Sequence, residues 1–331
     1  MAQRSLIQDV SGWLKVYSDG SVDRTWSGSE DVKEMVDTVP SHADEFIGGV
    51  KVKDVSVGDQ SSLRVRIYLP ENADGDKHQK LPILLHYHGG GFCISQPDWQ
   101  MYYFFYRRLA ALAKAICVSV YLRRAPEHHH PAACDDGFAG FCWLQSIALG
   151  NAQDPWLTSH GDFTRIFLVG DSSGGNIVHQ VAARVGEIDM SPARLAGAVL
   201  LHPGFCRSEK SNSERKDLET PFLTLDMVDS FLKLALPQGC NKDHPLICPM
   251  GSQSPPLKNL KLAPFLLCLA EKDMLWDTEM EYYEATKNAN HEVDKFVSYN
   301  MTHCFYLNSL AGETTETMAL LQKIADFIST H

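Results

Sequence analysis

No pair of cysteines in this sequence has the C-x-x-C spacing of a zinc site or a dithiol redox site. The nine cysteines (93, 117, 134, 142, 206, 240, 248, 268 and 304) are odd in number, scattered, and mostly set among apolar neighbours, as in Ala115-Ile-Cys117-Val. They read as free, buried thiols of a reducing compartment. No Lys/Arg cluster exceeds two residues, and the formal charge is −11 with a pI near 5.7, which argues against a nucleic-acid partner held through phosphate contacts. No stretch approaches the roughly 18 apolar residues that span a bilayer, and the first ten residues carry no apolar h-region, so no membrane partner is expected. The expected location is the cytoplasm. Internal repeats and low-complexity tracts are also missing.

What is present is strand and helix in alternation. Of the 331 residues 44% are hydrophobic, enough for one large α/β domain over 1–331. Val50 to Val57 and Leu63 to Leu69 alternate apolar with polar, as half-exposed antiparallel strands do. Leu81 to His88, Ala115 to Tyr121, Ile166 to Val169, Ala196 to Leu201 and Phe265 to Leu269 are near-continuous apolar runs, which belong to strands buried on both faces. Helical segments fall between them at 101–114, 132–147, 176–185 and 278–288. The alternation predicts a largely parallel sheet with its chemistry at the carboxyl ends of the strands.

Two stretches break that rhythm and are expected to be cap elements. Residues 1–50 hold short amphipathic pieces, with helical spacing over Leu6, Ile7, Val10, Trp13, Leu14 and Val16, then an Asp19-Gly20 turn. This arm reads equally as a lid over the site or as a structural strap. Residues 204–258 insert polar text, a helical piece (Leu225 to Leu236) and a Pro/Gly/Cys/His-rich tail between two core strands. Apolar Phe222, Leu223, Met227 and Phe231 there, with Trp13 and Leu14 of the arm, need a surface to bury against, and the mouth of a cleft supplies one.

The chemistry gathers at strand ends. Gly170-Asp-Ser172-Ser-Gly174 follows an apolar strand and opens a helix, the setting of a G-x-S-x-G nucleophile elbow. Ser172 would stand at a helix N-terminus, where the Ser173 amide can face an oxyanion. About 80 residues upstream, His88-Gly89-Gly90-Gly91-Phe92 closes another buried strand, and consecutive glycines there let backbone N–H groups turn toward one point. Downstream, Asp273 and His303 each follow a strand, in the order Ser, acid, His. Glu271 and Asp277 are rival acids on position alone. The run His128-His129-His130 is no metal site, because consecutive residues do not converge on one ion, and no cofactor is expected. His179 and His202 read as structural, and Arg123 with Glu127 as a pair bracing the loop beneath the glycines.

With HGGGF, GDSSGGN, a downstream EKD and a final THCF, the sequence resembles the hormone-sensitive-lipase-like branch of the α/β-hydrolases. Within that branch it resembles the plant carboxylesterases of the hypersensitivity-related type, essentially end to end, including Asp19-Gly-Ser-Val-Asp-Arg24 and the Ala-Pro-Glu-His loop. The resemblance implies an α/β-hydrolase fold: a mostly parallel eight-stranded sheet, helices on both faces and a helical cap. It selects Asp273 as the acid, giving a Ser172, Asp273 and His303 triad, and an oxyanion hole from Gly89, Gly90, Gly91 and Ser173, with Gly90 and Gly91 favoured. It implies a small-molecule ester as partner, and a monomer or homodimer. Three departures stand out. Ser173 replaces the usual Ala, His128-His-His-Pro131 replaces the usual loop, and Thr302 and Cys304 flank His303. Relatives in this branch include dehydratases and cyclases. The gibberellin receptors also resemble it, but they lack the triad histidine that is present here.

Overall fold

The apolar runs form the centre of a nine-stranded sheet in the computed structural model, which describes residues 4–57, 63–71, 80–216, 218–220, 222–308 and 314–331. Residues 1–3 of the arm and 217 and 221 of the insertion lie outside the described residues. The strands are β1 (Leu6–Val10), β2 (Leu14–Tyr17), β3 (Val22–Asp23), β4 (His42–Ile47), β5 (Val50–Ser56), β6 (Arg64–Pro70), β7 (Leu81–Tyr87), β8 (Ile116–Tyr121), β9 (Gly161–Asp171), β10 (Leu195–Leu201), β11 (Phe265–Ala270) and β12 (Val293–Ser298). The main sheet has the order β12, β11, β10, β9, β7, β8, β6, β5, β4. Pairing is parallel from β12 through β8 and antiparallel from β8 to β4. The runs β7, β10 and β11 are buried almost throughout, as strands covered on both faces must be.

The helices are α1 (Glu30–Lys33), α2 (Gln100–Ala113), α3 (Ala132–Ala148), α4 (Pro155–His160), α5 (Ser173–Gly186), α6 (Leu225–Ala235), α7 (Trp276–Asn288) and α8 (Thr315–Thr330). Alternation along β7 shows which face each covers. His86 packs on Tyr102 and Tyr106 of α2, whereas Leu85 lies beside Gly140 and Tyr87 donates its hydroxyl to the Gly137 carbonyl of α3. Consecutive strand residues point to opposite faces, so α2 and α3 cover opposite sides. Helix α8 packs with α2, and α5 with α3.

The structure corrects the sequence reading in three places. The main sheet has nine strands, not eight, because His42–Ile47 turns through Gly48 and Gly49, both at positive φ, and pairs antiparallel with β5. The helical spacing over residues 6–16 belongs instead to a hairpin of β1 and β2. Its Ser11-Gly12 turn takes φ of 50° and 79°, and the β-branched Ile7, Val10 and Val16 favour strand. Arg123 and Glu127 do not pair with each other. Arg123 binds Asp136, and Glu127 receives both guanidinium nitrogens of Arg24 at 2.7 and 2.5 Å.

The arm and the insertion meet over the carboxyl edge of the sheet. Thr224 caps α6 by accepting the Met227 N–H, and the helix buries Met227, Val228, Phe231 and Leu232. Gln8 of β1 reaches Ser230 of α6 at 2.9 Å. Arg24 fastens the arm to the glycine loop by donating to the carbonyls of Cys93 (2.6 Å) and Ala125 (2.8 Å).

Candidate active site

Between β9 and α5 the chain reverses at Ser172, whose φ of 50° and ψ of −123° are strained for a residue with a Cβ. Such a position costs about 1–3 kcal/mol and persists only where neighbours force it. They do so here through glycine. A Cβ on Gly174 would come within 2.0 Å of the Tyr87 carbonyl oxygen, and one on Gly170 within 2.4 Å of the Gly174 carbonyl oxygen. The elbow closes this tightly only because both positions lack side chains.

Ser172 Oγ lies 3.0 Å from His303 Nε2, and His303 Nδ1 lies 2.6 Å from Asp273 Oδ2. The Leu275 N–H donates to the other Asp273 oxygen at 2.9 Å. The three side chains come from the turns after β9, β11 and β12, so the sheet brings together residues 131 and 30 positions apart in sequence. Burial raises the Asp273 carboxyl, but the His303 charge and hydrogen bond, His202 and the Leu275 amide outweigh it and hold the group below the ordinary carboxylate value. Burial pushes His303 down, and the Asp273 charge with Cys304 more than reverses this, raising the imidazole well above its ordinary value. The rival acids are engaged elsewhere: Glu271 accepts the Asn300 N–H at 2.9 Å and Asp277 the Ser213 N–H at 2.8 Å.

The glycine loop faces the elbow. Gly89, expected among the oxyanion donors, turns its N–H to Asp171 Oδ2 at 3.0 Å and to the Tyr102 hydroxyl at 3.2 Å. The N–H groups of Gly90, Gly91 and Ser173 meet no acceptor among the described residues. Asp171 is the hub of this region, accepting also from Tyr102 (3.1 Å) and contacting His86 Nε2 (3.2 Å). In the sequence Asp171 is only the second letter of the Gly170–Gly174 motif. Ser173 does more than preserve an amide, since its hydroxyl accepts the Phe92 N–H at 3.2 Å and ties the glycine loop to the elbow. His202 likewise braces the histidine turn, accepting the Cys304 N–H at 2.8 Å, and its burial lowers its pKa to about 3.

Above Ser172 is a cavity of about 730 Å³, its mouth included, walled by Trp13, Phe222, Leu223, Met227, Val228 and Phe231. Trp13 is only 4% exposed and packs on Trp26, Trp99 and Phe222. No lysine or arginine among the described residues lines the space. Among the described residues, the groups close enough to share an ion are His202, His303 and Cys304, and Asp273, Glu279 and His303. Both ring nitrogens of His303 are already engaged within the triad geometry. The histidine run is not such a group: His128 and His129 are exposed while His130 is buried against Phe92. No described helix is long and apolar enough to cross a membrane.

A parallel sheet with a serine elbow, a facing glycine loop and an Asp-backed histidine at its carboxyl edge defines a hydrolase of the α/β type. The chain belongs to the α/β-hydrolase fold family, whose model matches residues 84–307. It is 33% identical to a probable carboxylesterase 6 of Arabidopsis thaliana, over 98% of this chain and 91% of that protein. It is 34% identical to a 2-hydroxyisoflavanone dehydratase of Glycyrrhiza echinata, over 98% and 97% of the two chains. Among solved structures, a hyperthermophilic esterase from the archaeon Pyrobaculum calidifontis superposes with a TM-score of 0.70 at 26% identity, covering 87% of this chain and 85% of its own. The resemblance read from the motifs is thereby borne out.

Proposed function

We propose that this protein is a serine carboxylesterase acting on small, neutral, apolar acyl esters. The observation that carries the reading is the continuous contact from Ser172 Oγ through His303 to Asp273. In the proposed cycle His303 Nε2 takes the hydroxyl proton as Ser172 Oγ attacks the ester carbonyl. The oxyanion faces the amides of Gly90, Gly91 and Ser173. Collapse breaks the bond to the alcohol, which leaves with the proton from His303, and an acyl-enzyme remains. Water then gives a proton to His303 and its oxygen to the acyl carbon; the bond from that carbon to Ser172 Oγ breaks as His303 returns the proton to the serine, and the acid departs. Asp273 stays ionised and holds the imidazole in the required tautomer. The apolar cavity, lined by no lysine or arginine among the described residues, favours short-acyl or acetylated metabolites over carboxylate-bearing ones. We place the protein in the cytoplasm as a monomer or homodimer, in keeping with nine unpaired cysteines, most of them buried.

A second reading, elimination or cyclisation of a specialised metabolite in the same pocket, is favoured by the similarity to the dehydratase. A hormone-receptor role is disfavoured by the intact contact between Ser172 and His303. A turnover panel of p-nitrophenyl esters and acetylated metabolites, with product mass analysis, separates the first two readings. Hydrolysis yields acid plus alcohol, and elimination yields a product lighter by water. A fluorophosphonate should label Ser172 alone. A label on Ser173, or none, would overturn the triad.

A further inference from the structure

The proposed cycle uses one carboxylate, yet the wall behind His303 holds two. Glu279, in the first turn of α7, is fully buried, and neither of its carboxyl oxygens meets a hydrogen-bond partner among the described residues. One of its oxygens, one of Asp273 and a ring nitrogen of His303 lie within 4.8 Å of one another. Two carboxyls this close in a dry site do not both hold a full charge. Asp273 is the one that holds it, because the His303 and Leu275 N–H groups converge on it. Burial and then the Asp273 charge drive Glu279 strongly toward its neutral form, and His303 opposes them. Among the described residues, the titratable groups that act on the pair are His303 from the turn after β12 and His202 just after β10, and the Asp273 charge in turn acts on the buried Cys206 thiol.

We propose that Glu279 is a reserve acid for the triad: a positioning residue that is neutral while Asp273 is charged, and that takes over the negative charge and the pairing with His303 when Asp273 is not. The proposal rests on the triad reading above. The charge that keeps Glu279 neutral is the Asp273 carboxylate, so neutralising Asp273 removes that obstacle and leaves the attraction of His303. Closing a separation of at most 4.8 Å to hydrogen-bond distance needs a movement of no more than about 2 Å. The three side-chain torsions of a glutamate span that without backbone change.

The test is the pH profile of kcat/KM for p-nitrophenyl acetate in wild type, D273N, E279Q and D273N/E279Q, with S172A as control. Removing the carboxylate of an unassisted triad costs about 10⁴-fold. With a reserve acid, D273N loses about 10²-fold, and its residual activity rises with pH as Glu279 gives up its proton. E279Q alone loses about 3-fold, and the double variant loses about 10²-fold more than D273N, a non-additivity that a merely structural glutamate does not produce. A D273N profile identical to that of the double variant overturns the proposal. If S172A keeps full activity, the triad reading fails instead. Infrared spectroscopy provides a check that leaves Asp273 in place: the C=O stretch of a protonated buried carboxyl is expected in wild type and lost in E279Q. Its absence from wild type also overturns the proposal.

Discussion

Replacing Trp13 with alanine tests whether the N-terminal arm shapes the pocket or merely straps the fold. The indole is nearly buried, packs among Trp26, Trp99 and Phe222, and lines the cavity over Ser172. A buried aromatic covers about 150–250 Å², and truncating one to alanine costs about 3–5 kcal/mol in a closed core. Here one side of the ring faces the cleft, so part of the void opens to solvent and the loss should fall near 3 kcal/mol. For substrate, each methylene withdrawn from apolar contact costs about 0.8 kcal/mol. An acyl or alcohol group that sets two or three methylenes against Trp13 therefore loses about 2 kcal/mol, or about 30-fold in kcat/KM. Acetate esters, which carry a single methyl on the acyl side, should change by less than about 3-fold. The assay is kcat/KM for p-nitrophenyl acetate, butyrate and hexanoate beside a thermal melt. A lower Tm with all three esters falling in parallel would refute the pocket role and leave the strap.

Four further outcomes follow from the site. His303 must be neutral to accept the Ser172 proton, and its pKa is raised above 6.5, so kcat/KM should climb with pH through an acidic limb above 6.5; a limb below 6.5 would contradict the Asp273 effect. The same shift makes protonated His303 stabilise the fold fully below its unfolded pKa, and that contribution disappears as pH rises through the folded value. Ser173→Ala leaves the buried Phe92 N–H without its acceptor and should lower kcat about 10-fold with KM little changed, which steady-state kinetics on p-nitrophenyl acetate will show. Dialysis against a strong chelator should leave esterase activity unchanged, and restoration of lost activity by zinc would bring the histidine clusters back into question.

Ser172 and His303 were legible as candidates because each sits in a short local string at the end of an apolar strand, where sequence and geometry coincide. Asp273 was not separable from Glu271 and Asp277 by position. Only the family pattern selected it, and the physical difference is that Asp273 meets His303 Nδ1, whereas Glu271 and Asp277 accept the Asn300 and Ser213 N–H groups. The direction of the Gly89 N–H is a property of the loop backbone and leaves no trace in residue types. Glu279 was hidden for another reason, since a glutamate in Asp277-Thr-Glu-Met-Glu-Tyr-Tyr reads as part of a solvated helical face. The edge strand β4 was missed because His-Ala-Asp-Glu-Phe-Ile carries little apolar text and is largely exposed. The arm was misread because apolar residues at 7, 10 and 14 fit one helical face as well as a hairpin whose partner surface lies elsewhere in the chain.

Arg24 anchors the arm to the carbonyls of Cys93 and Ala125, beside the oxyanion loop, while Trp13 reaches over the cleft from the other end of the same segment. On the proposed reading, substrate choice rests on the arm together with the insertion and proton transfer on the strand-end turns, and the Arg24 guanidinium is one of the contacts that join them. Drift in residues 6–23 leaves the elbow, the acid turn and the histidine turn untouched, so a lineage can explore new alcohols and acyl groups while the reaction centre is held constant. The same division makes the hairpin a natural unit of exchange. Grafting the arm of a relative, with its Arg24 anchor retained, should transfer preference for leaving group or acyl chain without rebuilding the centre that cleaves the bond.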